Sequence, residues 1–273
     1  MSELERSAKF LQRQFGAPPD FAVVFGSGLG QDFLRLHRKA RRISYAKIPG
    51  WPCPNVDGHR GEAWRIEGKF SSTLALRGRV HYYEGFRPDQ VVFPLRSLAV
   101  WGVKRVLLTN ASGSLRKDFK AGSMALIQDH LNLTGANPLR GANLDALGPR
   151  FPSLDGCYRN SFAKKVKDAA RSLKLKLPAG IYVGIAGPSY ETAAELEAFR
   201  RLGGDLVGMS TVLEAIAATH AGMEVAAVAA VTNSCFKFGE PPNHQEVLSQ
   251  ARLVDKDLCA LLQALLGERI SPR

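Results

Sequence analysis

Apolar residues along this chain fall into two spacings that trade places from one end to the other. Over residues 3–15 they recur at helical intervals, with Leu4, Ala8, Leu11 and Phe15 on one face, and Gly16 with Pro18-Pro19 beyond closes the run. Phe21 to Phe25 follows as a short unbroken apolar run, the pattern of a strand covered on both faces. Residues 64–80 predict two strands around Gly68-Lys69, and residues 89–101 a helix in spite of Pro94. Val103 to Leu108 and Met124 to Leu131 read as further strands, the first ending in a small-residue loop, Thr109 to Ser114. Tyr158, Phe162, Val166, Ala169 and Leu173 mark a helix, and Val225 to Val231 another buried strand. The last helix, from about residue 244, aligns Val247, Ala251, Val254, Leu258, Leu261 and Leu265. Between these elements lie a Pro/Gly-rich loop over 48–61 and a long polar loop over 135–156. With no linker-like composition and no repeat, residues 1–273 predict a single α/β domain.

The densest stretch runs from Ile181 to Glu214. Ile181 to Ala186 is a strand ended by the turn Gly187-Pro188, and Thr192-Ala-Ala-Glu195 has the spacing of a capping box at the start of a helix. Gly203-Gly204 stops that helix, Asp205 to Met209 is the next strand, and Thr211-Val-Leu-Glu214 repeats the capping pattern before a helix over Val212 to His220. Two strands therefore end on polar residues at helix N-termini, where open α/β sheets hold ligands. Gly26-Ser27-Gly28-Leu29-Gly30, after the first strand, is a second loop suited to an anion. Gln31 stands where a dinucleotide fingerprint needs glycine, which disfavours a Rossmann cofactor.

Composition narrows the classes. The 45% hydrophobic and 23% charged residues are ordinary for a globular protein, but the formal charge of +12 is not. Its basic residues are dispersed, apart from short clusters such as His37 to Arg42, and no aromatic-basic motif accompanies them. A solvated basic surface that draws in anions is expected, rather than a nucleic-acid partner. The four cysteines are far apart, which predicts reduced thiols in a cytoplasmic protein, with neither a zinc site nor a disulfide framework. MSELERSAKF has no signal-peptide core, and no apolar run reaches membrane-spanning length.

Candidate chemistry gathers at the presumed C-terminal ends of strands: Ser27, Arg79 with His81, Asn110-Ala111-Ser112, Ser189-Tyr190-Glu191, Ser210 and Thr232-Asn233. Each alone has a plainer reading. Ser27 serves as turn chemistry, Ser210 as a helix cap, His59 and His81 as surface histidines, and Glu191 as a complement to a helix dipole. Convergence on one sheet edge is what favours a site. Neither H-E-x-x-H nor G-x-S-x-G with a plausible triad is present, so metal-hydrolase and serine-hydrolase readings are poor. Arg79 stands as a lone guanidinium beside His81, suited to an oxyanion.

The wording of these segments carries a resemblance. G-S-G-L-G, G-H-R-G at 58–61, G-R-V-H-Y-Y-E-G at 78–85, L-T-N-A-S-G at 108–113 and N-P-L-R-G at 137–141 occur in the order found in trimeric purine nucleoside phosphorylases. G-P-S-Y-E-T, G-M-S-T-V-x-E, V-T-N at 231–233 and N-H-x-E-V-L at 243–248 continue it, so the likeness spans about residues 20 to 250. The resemblance implies one α/β domain around a twisted mixed β-sheet flanked by helices, assembled as a homotrimer. It implies phosphorolysis of purine nucleosides to free base and ribose 1-phosphate, with inorganic phosphate as co-substrate and no metal or organic cofactor. By the same resemblance Ser27, His59, Arg79, His81, the Ala111 backbone and Ser210 hold phosphate. Tyr83, Met209 and His244 line the ribose site, while Tyr190, Glu191, Thr232 and Asn233 serve the purine, and Phe151 closes a neighbouring subunit's site. Asn233, Glu191, His81 and His244 are the expected catalytic set. Ser234 to Phe238 departs from the family's wording, and Tyr190 stands where some members have Phe. A methylthioadenosine phosphorylase is the rival within the enzymes, and a basic nucleotide-binding protein without turnover the rival outside them.

Overall fold

The N-terminal amphipathic run is helix α1 (Glu3–Phe15), capped by Ser2 and Glu5 and burying Ala8, Leu11 and Phe15. The computed structural model describes residues 2–56, 58–235 and 244–268, with the side chain of His244 outside that set. Strand β1 (Phe21–Val24) follows, then helix α2 (Gln31–Leu36) and the edge strand β2 (Arg41–Ser44), two elements the sequence pattern does not announce. Both are short, and β2 is largely exposed, so neither carries an apolar stripe.

Strands β3 (Glu62–Glu67) and β4 (Ser72–Arg77) form the expected hairpin. The helix predicted over 89–101 is two pieces, α3 (Pro88–Val91) and α4 (Phe93–Trp101), hinged at Val92. Pro94 sits in the first turn of α4, the helical place where its missing N–H costs nothing. Strand β5 (Arg105–Ser114) runs on through the predicted loop at Thr109 to Ser114, because it has pairing partners on both sides there. The order then continues as β6 (Ser123–Leu133), α5 (Ser161–Ser172), β7 (Ala179–Ile185), α6 (Ala193–Arg201), β8 (Leu206–Gly208), α7 (Val212–His220), β9 (Glu224–Ser234) and α8 (His244–Leu266).

The nine strands are ordered β2-β3-β4-β1-β5-β8-β7-β6-β9, and β9 also pairs with β5. Five strands therefore close on themselves, while β1, β4, β3 and β2 extend from β5 as an open wing. The pairing is mixed: β1 is parallel to β4 and β5, whereas β5 and β8 are antiparallel. Apolar residues fill both faces, which explains the unbroken runs. Phe21, Val23, Leu107, Ala226 and Val228 pack on one side against α2, α5 and α8. Ala22, Val24, Leu108, Val225 and Ala227 pack on the other against α1, α4 and α7.

One irregularity falls at two residues singled out in the sequence. Ser112 pairs with Val231 but Gly113 pairs with Asn233, so Thr232 is an extra residue in β9. Such a bulge breaks the strand's alternation and lets neighbouring side chains share a face.

Candidate active site

A cleft of about 360 Å³ opens where β1, β5, β8 and β9 end. It brings together nearly all the residues singled out in the sequence. Ser27, Arg79, His81, Ala111 and Ser210 line it, together with Tyr83 and Met209, and so do Tyr190, Glu191, Thr232 and Asn233. Two expected residues stand elsewhere, and the side chain of a third is not described. His59 lies just behind the wall, Phe151 is 87% exposed on the 135–156 loop, and the side chain of His244 falls outside the described residues. Phe236 to Phe238 likewise lie outside them.

Arg79 is not a lone guanidinium. It is 5% exposed, and its Nε lies 3.1 Å from Glu214 Oε1, itself on a residue only 4% exposed. Nη1 donates to Thr109 O at 2.8 Å and to Ser210 Oγ at 3.3 Å, and Nη2 donates to Val24 O at 3.3 Å. The cation is thus fixed by β1, β5, the turn after β8 and helix α7, and its charge is already balanced. Glu214 belongs to the predicted capping pattern, and its Oε2 does accept the Thr211 N–H at 3.2 Å. The same carboxylate reaches Arg79, a long-range role that a local spacing does not reveal.

Thr211 is held at φ +71°, rare for a β-branched residue. Val212 N–H donates to Ser210 O at 2.7 Å across it, closing a three-residue turn of the strained, positive-φ kind. Asn110 Nδ2 donates to Thr211 Oγ1 at 2.8 Å, and Asn110 Oδ1 accepts from Ser112 Oγ at 2.6 Å. Strain of about 1–3 kcal/mol at such a residue persists only where its surroundings enforce it. Here it turns Ser210 toward Arg79.

Two histidines are oriented by their partners. His59 Nδ1 accepts the Arg79 N–H at 3.3 Å, so a neutral ring carries its proton on Nε2 and donates to Ser27 Oγ at 3.0 Å. That leaves the Ser27 hydroxyl hydrogen for an anion in the cleft. His81 Nδ1 lies 2.9 Å from Glu84 Oε1, which also accepts the His81 N–H at 2.7 Å. Burial raises the Glu84 carboxyl, but hydrogen bonds from His81 and from Asn55 N–H outweigh it and hold the group below its ordinary value. Glu84 therefore stays ionised and holds His81 Nδ1 as a donor. The His81 ring stacks on Tyr83 at 4.7 Å between centroids. Burial, with Glu84 adding to it, pushes the Tyr83 phenol up to about 12, so it remains an O–H donor.

The other polar group of the cleft is an acid and an amide. Thr232 Oγ1 donates to Asn233 Oδ1 at 3.0 Å, and Asn233 Nδ2 donates weakly to Cys235 Sγ at 3.6 Å. Gly113 makes room for this packing, since a Cβ there would come within 2.6 Å of Cys235 Sγ. Burial raises the carboxyl of Glu191, opposed by its own backbone N–H and reinforced by Glu195. The arrangement offers cation, hydroxyl and imidazole donors to an anion, and an acceptor with an amide donor to a heterocycle. Among the described residues there is no group of three His, Cys, Asp or Glu that could hold a metal, and no helix long and apolar enough to cross a membrane.

Comparison with known proteins places the chain in a family. The model of the phosphorylase superfamily matches residues 20–267. The chain is 38% identical over 264 residues to purine nucleoside phosphorylase 1 of Geobacillus stearothermophilus, covering 96% of each. Two solved structures of Schistosoma mansoni purine nucleoside phosphorylase superpose with a TM-score of 0.89. The complex with inosine is 30% identical and the complex with adenosine 31%, and each match covers 99% of this chain and 97% or 98% of the other. With both the family model and near-full-length relatives in agreement, this chain belongs to the phosphorylase superfamily, among its purine nucleoside phosphorylases.

Proposed function

We propose that the enzyme cleaves 6-oxopurine nucleosides such as inosine and guanosine with inorganic phosphate. The observation that carries this reading is one cleft holding both the Ser27, Arg79, His81 and Ser210 group and the Glu191 and Asn233 pair. Phosphate held by the first group, with His59 behind Ser27, sits beside the anomeric carbon. Its oxygen forms the new C1′–O bond as the C1′–N9 bond breaks, and the electron pair leaves with the purine. The ribose passes through a cationic, oxocarbenium-like state, which the phosphate charge stabilises. Asn233 donates to the departing base near N7 without titrating, and Glu191 accepts N1–H. Tyr83, Met209 and the His244 side chain are assigned to the sugar, and Tyr190 to stacking on the base. The departing purine takes up the proton that hydrogen phosphate brings, so the products are free base and ribose 1-phosphate, and no step calls for a metal or organic cofactor. Base release from inosine is expected only when phosphate is supplied, measured by absorbance with and without it. Hydrolysis at a comparable rate in its absence would sink phosphorolysis.

The reading includes a homotrimer in which Phe151 covers a neighbour's cleft. Arg150 lies 5.5 Å from the Phe151 ring and donates from Nη1 to Leu139 O at 2.8 Å, so the exposed ring is mounted on a tethered loop. An apolar side chain presented this way is suited to a partner surface. Phe151→Ala is expected to raise the nucleoside KM by about tenfold, the loss of a modest contact anchor. Sedimentation should give three chains per particle. A fully active monomer, or an unchanged KM in the variant, would refute the arrangement.

A further inference from the structure

Helix α8 touches two parts of the site at once. Val247 lines the cleft, and two turns later, about 12 Å along the axis, Asp255 meets the start of α2. Between them α8 lies against the glycine loop, for a Cβ on Gly28 would stand 3.2 Å from both Ala251 Cβ and Leu248 O. Helix α2 is capped by Gly30, which has no side chain to satisfy the first N–H groups. Asp255 does so from another helix. Its Oδ1 accepts the Gly30 N–H at 2.5 Å and its Oδ2 the Asp32 N–H at 2.8 Å.

Asp255 is 3% exposed and makes no ion pair among the described residues. Burial pushes its carboxyl above the ordinary value, the Asp32 and Gly30 N–H groups pull it back, and the Asp32 charge pushes it up again. The two N–H bonds offset part of the cost of burying this group and tie α8 to the start of α2. Three residues before Gly30 stands Ser27, bonded to His59, which in turn accepts the Arg79 N–H. Asp255 thus anchors one end of a linked series whose other end is the main-chain N–H of Arg79.

We propose that Asp255 is a positioning residue that fixes the Gly26–Gly30 loop, and with it the Ser27 hydroxyl, for phosphate. This rests on the assignment of Ser27 to phosphate, and the experiment separates the two. Steady-state KM values for phosphate and for inosine, with Tm, are measured for Asp255→Ala, Asp255→Asn, Ser27→Ala and Leu258→Ala. Leu258, one turn on and fully buried, controls for simple loss of packing on α8. Asp255→Ala is expected to raise the phosphate KM about tenfold while the inosine KM stays within about twofold, as misplacement of one group would do. Asp255→Asn keeps one acceptor and should fall between, and it supplies the reading if the alanine variant does not fold. Leu258→Ala should lower Tm and leave the phosphate KM alone. If Ser27→Ala raises the phosphate KM and the Asp255 variants lower only Tm, or shift both KM values equally, the anchoring role is overturned. If Ser27→Ala leaves the phosphate KM unchanged, the assignment of Ser27 fails and the anchoring role fails with it.

Discussion

Turnover by an Arg79→Met enzyme is expected to fall by roughly 10²–10³-fold in kcat/KM for phosphate, the usual cost of removing a preorganised donor from a developing or bound oxyanion. The same change is expected to destabilise the protein by about 3–5 kcal/mol, because it strands Glu214 as a buried, uncompensated carboxylate. Both residues are at most 5% exposed, so water cannot take over the missing partner. The two effects can be separated. Arg79→Met combined with Glu214→Gln removes the stranded charge and should recover most of the lost Tm, yet it restores no donor and should stay inactive. Thermal unfolding and phosphate kinetics on the single and double variants decide the matter. An active single variant would remove Arg79 from phosphate binding. A double variant no more stable than the single one would mean that the Arg79–Glu214 pair is not what holds the two elements.

Inosine and guanosine are expected to be cleaved about 10–100-fold better than adenosine in kcat/KM. An ionised Glu191 only accepts, so it pairs with the N1–H of a 6-oxopurine and faces a lone pair in adenine. A mismatched buried polar pair costs about 1–3 kcal/mol, which sets the range. Asn233→Asp, which exchanges a donor for an acceptor toward position 6, should narrow the gap. Because burial raises the Glu191 carboxyl above its ordinary 4.5, the acid limb of kcat/KM for inosine should lie above that value. Activity is present above this limb and lost as pH falls through it, and Glu191→Gln should remove the limb along with much of the activity. Adenosine or methylthioadenosine used as well as inosine by the unaltered enzyme would overturn the assignment.

Local signals in the chain were legible where a single face or turn decided the outcome. The strands at Phe21 and Val225 read as buried because residues facing both sides are apolar, and Thr192 with Glu195 forms its capping box as spaced. What the sequence could not show are partnerships across distance. Glu214 reads as part of a local capping pattern, but its carboxylate also neutralises Arg79 from a distant segment, a pairing that no local spacing encodes. The extension of β5 through Ser114 was hidden for the same reason, since its small polar residues look like a loop until β8 and β9 pair with them. Asp255 had no signal at all, standing as one acid among several on an amphipathic helix.

The extra residue in β9 changes what mutation can reach. On a regular strand Thr232 and Asn233 would point to opposite faces, whereas the bulge lets both line the cleft. Under the proposed assignment of Asn233 to the base, chain length as well as side-chain identity at this point decides which groups face the cleft. Substituting Asn233 exchanges one functional group for another in a fixed frame. Deleting Thr232 changes the frame itself, returning β9 to plain alternation so that only one of each adjacent pair can face the base. A lineage or a library that samples single-residue deletions here explores a set of pockets that no number of point substitutions can produce.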